Sequence, residues 1–271
     1  MSPAISTAVL DGYPLGEGLD LLASLDVKLV EPAFIKGYVE FDESSFEAPA
    51  ANHLAAEIKS RHMTTQALSA HMDLSTNESI SALRRRIECA SFLGAKYLIT
   101  NAGPHAAVDK IYQHIEAVAP FLEQHDIVLA LENPGHGSGD ALGTSQGAVS
   151  FISTLDLPNV RLNVDIGNFA TYAGGINPFP AIKQCLPYAS HLHLKDYCTV
   201  SDDWHFTALG AGEIDWAQII NVTGNLPMAI ELPLRLQRPN KADPIRNGQP
   251  VPLDVIKDAI QTSLQTIQKL L

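Results

Sequence analysis

Cysteine is scarce in this sequence: only Cys89, Cys185 and Cys198, far apart and with no CxxC pair. An odd, scattered set supports neither a disulfide framework nor a cysteine zinc site. Cys89 falls within a helical pattern, where a buried structural thiol is expected, and the set as a whole fits a reducing cytosol. Basic residues are few as well, 18 Lys and Arg against 30 Asp and Glu, for a net charge of −12. Phosphate backbones are held by clustered Lys and Arg, so this balance weighs against nucleic acid as a partner. Long apolar runs are missing. Runs such as Ile127–Leu131 fall far short of the roughly 20 residues that cross a bilayer. The opening Met1-Ser2-Pro3 shows neither the basic segment nor the apolar stretch of a secretory signal. A cytoplasmic protein without a membrane partner is expected. What is present is an ordinary globular balance, 46% hydrophobic and 18% charged over 271 residues, enough for one large barrel or two small domains.

Short apolar runs alternate with longer amphipathic stretches along the whole chain. Strands are expected near Ser6–Leu10, Val27–Glu31, Gln66–His71, Lys96–Asn101, Ile127–Glu132, Val160–Asp165, Ser190–Lys195 and Pro227–Glu231. Helical periodicity is clearest over Ser79–Phe92, Val108–Leu122 and Leu253–Leu271. Alternating β and α elements imply a parallel sheet, and eight such units in this length match a (β/α)8 TIM barrel. No linker or low-complexity tract interrupts the series, so residues 1–271 read as one domain. An open doubly wound sheet would give strands that are apolar on both faces. The later strands instead alternate: Arg161, Asn163 and Asp165 against Leu162 and Val164, then His191, His193 and Lys195 against Leu192 and Leu194. The aliphatic parity should pack on helices and the polar parity should line the inside of a closed barrel. A buried polar row is costly unless it is paired or bound to an ion.

Glu132, Asp165, His193 and Glu231 fall at or near the carboxyl ends of the fifth to eighth predicted strands, 33, 28 and 38 residues apart. That end of a TIM barrel carries the active site, so four residues distant in sequence can converge at one mouth. A single carboxylate there is often just a helix N-cap. Four in succession on the inward parity point to a site. Three carboxylates and an imidazole form a hard O/N donor set suited to one Mn²⁺, Mg²⁺, Co²⁺ or Zn²⁺ ion.

The segments Leu131-Glu132-Asn133-Pro134, Val164-Asp165-Ile166-Gly167-Asn168, His191-Leu192-His193-Leu194-Lys195-Asp196, Leu209 to Trp216 and Ala229-Ile230-Glu231-Leu232-Pro233 occur in that order. Together they resemble the xylose isomerase-like TIM-barrel superfamily, the sugar phosphate isomerase/epimerase group that also contains endonuclease IV. The resemblance implies that Glu132, Asp165, His193 and Glu231 hold the metal, that the two glutamates move the proton in the ketose epimerases of the group, and that Glu31, His71 and Lys195 line the substrate pocket. Two positions depart from it. Asn168 stands where many members carry a histidine, and Asn101 stands where endonuclease IV has a zinc-binding histidine, so a three-metal cluster would lack two ligands. Both amides are expected to contact substrate instead.

Among the other residues, His205 lies in the loop after strand seven, within expected reach of substrate. Asp203-Trp204-His205 is similar to an Asp-x-His pair of that nuclease. His191 sits one inward layer below His193 and suits a supporting role. His136 belongs to the glycine-rich loop after strand five. Gly210-x-Gly212 reads as a turn feeding a helix capped by Asp215, not as a dinucleotide fingerprint. Arg235, Arg238 and Arg246 cluster after strand eight, where barrels bind phosphate and where Arg suits carboxylates; a solvated loop explains them equally well. The chemistry these residues suggest is removal of a proton α to a carbonyl by Glu132 or Glu231, with Lys195 stabilising the oxyanion. The expected substrate is a small carbohydrate, isomerised or epimerised, and a homo-oligomer is compatible with the chain. The alternatives are a lyase or decarboxylase acting on an acidic sugar and, more remotely, an abasic-site phosphodiesterase or a non-catalytic binding protein.

Overall fold

The computed structural model describes residues 2–172 and 177–271. Eight parallel strands form a ring. In chain order they are Ala4–Ser6, Leu29–Glu31 with Ala33–Phe34, Thr64–Thr65 with Ala67–Ala70, Tyr97–Asn101, Val128–Glu132, Val160–Asp165, Ala189–Leu194 and Met228–Ile230. The second and third are broken at Pro32 and Gln66 and pair with each other in two segments. Pro32 has no N–H for a ladder, but its carbonyl still accepts from Ser69 N at 3.0 Å. The eighth strand pairs with the first through Ala4 opposite Ala229 and Ile5 opposite Ile230. The ring therefore closes on itself as the expected (β/α)8 barrel.

The helices follow their periodicity. Ser79–Phe92 has the expected bounds, the next runs Val108–Gln124, and the last is Leu253–Leu270. In Val108–Gln124 the residues Ile111, Ile115, Val118 and Leu122 form one buried stripe against the barrel. Each such side chain contributes about 1.5–3 kcal/mol when fully buried. Strand parity divides as the alternation requires. Leu129 and Leu131 join the helix-facing core, while Ala67, Ile99 and Ala130 form a small separate cluster inside the ring. Beyond that cluster, toward the carboxyl ends of the strands, the interior turns polar.

Two expectations need correction. Only Ser6 of the predicted first strand is strand; Thr7–Leu10 is a buried 3₁₀ turn. The Ser6 side chain caps that turn, and Thr7 Oγ1 accepts from Ala33 N at 2.9 Å, so this apolar run reflects burial and not strand pairing. The segments after strands seven and eight are not plain loops either. Asp196–Val200, Asp203–Thr207, Leu236–Arg238 and Ile245–Arg246 form a four-stranded antiparallel sheet. Asp196 ties the intervening turn down, accepting from Gly210 N at 2.9 Å and Trp216 Nε1 at 2.7 Å. Asp215 caps the helix Trp216–Thr223 as expected, accepting from Gln218 N at 3.1 Å. No described helix is long and apolar enough to cross a membrane.

Candidate active site

Strand register brings the polar residues to one level. Asn101 stands opposite Glu132, Glu132 opposite Asn163, and Asp165 opposite His193. A register shift between Leu162 and Asn163 lets Asn163 face both Glu132 and His191. Glu132, Asp165, His193 and Glu231 are all buried, and each offers a donor atom within 4.8 Å of the other three. Glu132 is held from two sides: Asn163 Nδ2 donates to its Oε2 at 2.7 Å and Asn168 Nδ2 to its Oε1 at 3.0 Å. Asp165 Oδ1 accepts from Asn168 N at 2.8 Å, which caps the short helix Ile166–Thr171. Its Oδ2 is left facing the site. Lys195 Nζ lies 2.8 Å from that oxygen, 2.5 Å from Glu231 Oε2, and donates to Asn168 Oδ1 at 3.1 Å.

His193 is oriented from behind. Its Nε2 meets Glu31 Oε1 at 3.0 Å and Oε2 at 3.2 Å, and Ser69 Oγ donates to Glu31 Oε1 at 2.9 Å. With Nε2 engaged by Glu31, it is Nδ1 that points at the carboxylates: 2.9 Å from Glu132 Oε2, 3.8 Å from Glu231 Oε2 and 3.9 Å from Asp165 Oδ2. A carboxylate behind a metal-binding imidazole is a recurrent means of fixing its tautomer.

His71 Nε2, Asp165 Oδ2, His193 Nδ1 and Glu231 Oε2 are buried and make no well-directed hydrogen bond; the two imidazole nitrogens have only charge contacts to carboxylates, and the two carboxylate oxygens share the single ammonium of Lys195. Three of these belong to the four proposed metal ligands. Converging unsatisfied donors with excess negative charge are unfavourable by themselves, and a divalent cation satisfies both the lone pairs and the charge. The donor set therefore fits a metal ion. The local field agrees. Burial pulls the His193 pKa down, but Glu31, Glu132 and Glu231 together hold it well above the usual imidazole range. Burial pulls Lys195 down too, and Asp165 and Glu231 outweigh it. For Asp165 burial wins over the Lys195 ammonium, so its pKa is raised. His191, by contrast, is pushed down to about 4 by burial and stays neutral, its Nδ1 meeting Asn163 Oδ1 at 2.9 Å.

A cavity of about 490 Å³ opens over this group. Glu132, Glu231, Lys195, His71, Asn101 and Asn168 line it, whereas Asp165 and His193 lie behind its wall. Glu31, expected to line the pocket, is fully buried behind His193 and does so only indirectly. Two further expectations place residues elsewhere. His205 pairs with Cys198 and Gln237 in the antiparallel sheet and is not on the lining. Arg235 turns away to Asp11 and to the carbonyls of Asn247 and Gly248. Arg246 also takes Asp11, and Arg238 donates to the carbonyls of Gly135, Thr171, Lys241 and Ala242. The arginine cluster is structural. Asn168 shows why an amide serves at its position: it donates to Glu132 and Asn133 O while accepting from Lys195. Gly135 makes room for it, since a Cβ there would lie 2.3 Å from Asn168 Oδ1.

Sequence reasoning missed several participants. Ser69 and Asn163 sit on inward strand parities, and that signal could have singled them out. Tyr38, Asp73 and Asp140 also line the cavity, but they come from irregular segments where no periodicity marks them. Burial raises the Tyr38 phenol above its ordinary range.

Residues 19–233 match the family described as "Xylose isomerase-like TIM barrel". Among curated proteins, none matches the sequence significantly. Solved structures share the fold at low identity. A xylose isomerase-like TIM barrel protein from Mycobacterium smegmatis in complex with magnesium superposes with TM-score 0.74 at 16% identity, over 99% of this chain and 97% of that one. A D-tagatose 3-epimerase-like protein gives 0.71 at 16%, over 100% of both chains. The probable 3-DHS dehydratase AsbF of Bacillus anthracis gives 0.70 at 14%, over 99% of both.

Proposed function

The chain belongs to the xylose isomerase-like TIM barrel family, and within it we propose that this protein is a divalent-metal-dependent isomerase or epimerase of a small sugar-like carbonyl compound. One observation carries the reading. Of the four converging donors, Glu132 and Glu231 reach the cavity lining while Asp165 and His193 do not, so the two glutamates can meet both an ion and a substrate. All four would hold the ion. Magnesium in the mycobacterial fold neighbour supports such an assignment. When bound, the ion would polarise a substrate carbonyl and its neighbouring hydroxyl and lower the cost of an enediolate.

The residues of the chain supply the proton chemistry. Glu132, clamped by Asn163 and Asn168, takes the proton α to the carbonyl. Glu231, three strands further round the ring, returns a proton, either to the other face of the same carbon or to its neighbour. The first outcome is epimerisation and the second aldose–ketose isomerisation. Lys195 Nζ, on the lining, is shared by the carboxylate oxygens of Asp165 and Glu231; once those oxygens hold an ion, it can donate to a substrate oxygen as that oxygen gains charge. His71 Nε2, on the lining and 3.6 Å from Glu132 Oε2, offers a further contact to a hydroxyl.

The same α-proton removal would permit loss of a β-hydroxyl, the reaction class named for the Bacillus anthracis neighbour; product mass separates the two, because isomers keep it. The test pairs elemental analysis with turnover. Protein purified without chelator should hold about one divalent ion per chain. Glu132→Gln should keep that ion yet lose turnover about 10²–10⁴-fold. Unchanged turnover would remove Glu132 from the chemistry, and no ion under any loading condition would remove the mechanism.

A further inference from the structure

Of the three arginines after strand eight, Arg238 differs in what it joins. Its side chain is 5% exposed, and its guanidinium lies 4.9 Å from the centre of the Trp204 ring on the neighbouring strand of the antiparallel sheet. Nε donates to Ala242 O at 2.6 Å and Nη2 to Lys241 O at 3.0 Å, which anchors the group to its own turn. Nη1 reaches out of the sheet and donates to Gly135 O at 2.5 Å and Thr171 O at 3.2 Å. One nitrogen thus ties the segment after strand five to that after strand six. Asp243, in the turn beyond, takes the first of these segments at a second point, its Oδ1 accepting from Gly137 N at 3.2 Å.

Asn168 lies between the two tied points. Thr171 is about one helical turn beyond it, and the Thr171 hydroxyl lies 3.1 Å from Gly135 O and 3.0 Å from Gly167 O. The Gly135 backbone packs directly on the Asn168 amide, so closely that a Cβ would stand 2.3 Å from its Oδ1. Asn168 in turn holds Glu132 Oε1 and accepts from Lys195. A shift of Gly135 against Thr171 is therefore passed to the Asn168 amide and from there to Glu132. Packing alone does not account for the choice of residue. A buried guanidinium is unfavourable without a counter-charge, burial pulls the Arg238 pKa down against the charge of Asp243, and among the described residues Arg238 forms no ion pair. An apolar side chain would fill the space without that penalty. What the planar fork supplies is donors in fixed directions, toward carbonyls on three segments.

We propose that Arg238 is a positioning residue for Glu132: by fixing the separation of the segments after strands five and six it sets the Asn168 amide, and through that amide the glutamate. The inference rests on the reading of Glu132 as a metal ligand. It makes the antiparallel sheet part of the machinery of the site, although among the described residues no strand of that sheet contributes to the cavity lining.

The test is a double-mutant cycle on the full chain, read by Co²⁺ binding in calorimetry and by the visible absorption of the bound ion. Arg238→Gln should weaken Co²⁺ about tenfold and alter its spectrum. Asn168→Ala should do the same, and adding Arg238→Gln to it should bring less than about a twofold further loss. Arg235→Gln removes an arginine of the same group that touches neither segment; it should lower the melting temperature and leave affinity and spectrum unchanged. Arg238→Lys keeps the charge but not the fork, and it carries the cycle, with the same non-additivity expected, where the glutamine variant does not fold. Full additivity, or wild-type affinity and spectrum in both Arg238 variants, overturns the proposal. A second readout needs no ion. The N–H groups of Asp165 and Asn168 are held by Asn133 Oδ1 and Asp165 Oδ1. In the metal-free protein their amide exchange should quicken at least about tenfold in Arg238→Gln and not in Arg235→Gln. Unchanged exchange overturns the positioning role whether or not an ion binds. A positive cycle without turnover of any sugar upholds Arg238 and sinks the isomerase reading. Sugar turnover with Arg238 variants at wild-type metal affinity does the reverse.

Discussion

Two charge clusters in this barrel, one partly exposed and one buried, are built from similar groups and end in opposite states. In the first, Asp11 follows the first strand and accepts from Arg246 Nε at 2.9 Å and Arg235 Nη1 at 3.2 Å. The remaining Arg235 donors go to the carbonyls of Asn247 and Gly248. None of its side-chain atoms is left orphaned, and the cluster staples the segment after strand one to that after strand eight. In the second, Glu132, Asp165, Glu231 and His193 converge with Lys195 as the one permanent cation. Three of its donor atoms make no well-directed hydrogen bond, one lysine is shared between Asp165 and Glu231, and negative charge remains in excess. A cluster that satisfies itself holds the fold together. One that does not is held open by the fold, and the missing partner must come from outside.

Adding a divalent cation gives the widest separation between the two clusters. At a free-ion concentration a hundred times Kd, the protein should gain about 2.7 kcal/mol of stability by mass action. Thermal melts with Mg²⁺, Mn²⁺, Co²⁺ and Zn²⁺ read this directly, and a flat response to all four would erase the distinction. A change behind the open cluster should weaken it without unfolding the barrel. Glu31→Gln loses the carboxylate that orients His193, and metal affinity should drop about 10–100-fold while the metal-free melting temperature hardly moves. Equal affinity in titration calorimetry would show that Glu31 is only packing.

The closed cluster should respond in the opposite sense. Asp11→Asn removes the counter-charge shared by two guanidinium groups, at 12% and 30% side-chain exposure, and leaves Arg246 only its contact to Glu40 at 3.4 Å. The expected cost is about 2 kcal/mol in urea denaturation, between the values for exposed and buried pairs. Metal affinity should stay where it was; a loss there would join the two clusters into one. The smallest effect belongs to the half-exposed carboxylate of Glu43, which meets the partly exposed Arg85 and the buried Arg86. The Arg86 hydrogen bond holds the Glu43 carboxyl down to about 2, against its partial burial. Because the folded value lies below the unfolded one, this stabilisation is present above about pH 4.5 and is lost as the pH falls toward about 2. With Glu43 half exposed, solvent screening keeps it below about 1 kcal/mol. The gap in urea midpoint between the wild type and Glu43→Gln should therefore shrink across that window, and a gap that widened on acidification would reverse the sign.

Much of this molecule was legible along the chain. The inward polar parity of Arg161, Asn163 and Asp165 and of His191 and His193 distinguished a closed barrel from an open sheet. The spacing of Glu132, Asp165, His193 and Glu231 marked a common mouth, and the structure brings all four together. Periodicity worked for Val108–Gln124 because one face of that helix meets the barrel. It failed at Thr7–Leu10, where all four residues are buried in a turn and no alternation reports the backbone. It was silent on the sheet formed by Asp196–Val200, Asp203–Thr207, Leu236–Arg238 and Ile245–Arg246, whose strands are short and mostly half exposed.

The sequence by itself determined the barrel and the identity of the converging donors, because strand alternation and the length of a βα unit are local and repeat along the chain. Only the tertiary structure decided which charges find partners. Glu31 went behind His193, and Arg235 and Arg246 went to Asp11. Asp73 and Asp140 came to the cavity wall with no ion pair among the described residues. Those outcomes depend on contacts between residues tens to hundreds of positions apart, and pairing at that range is set by how the ring closes.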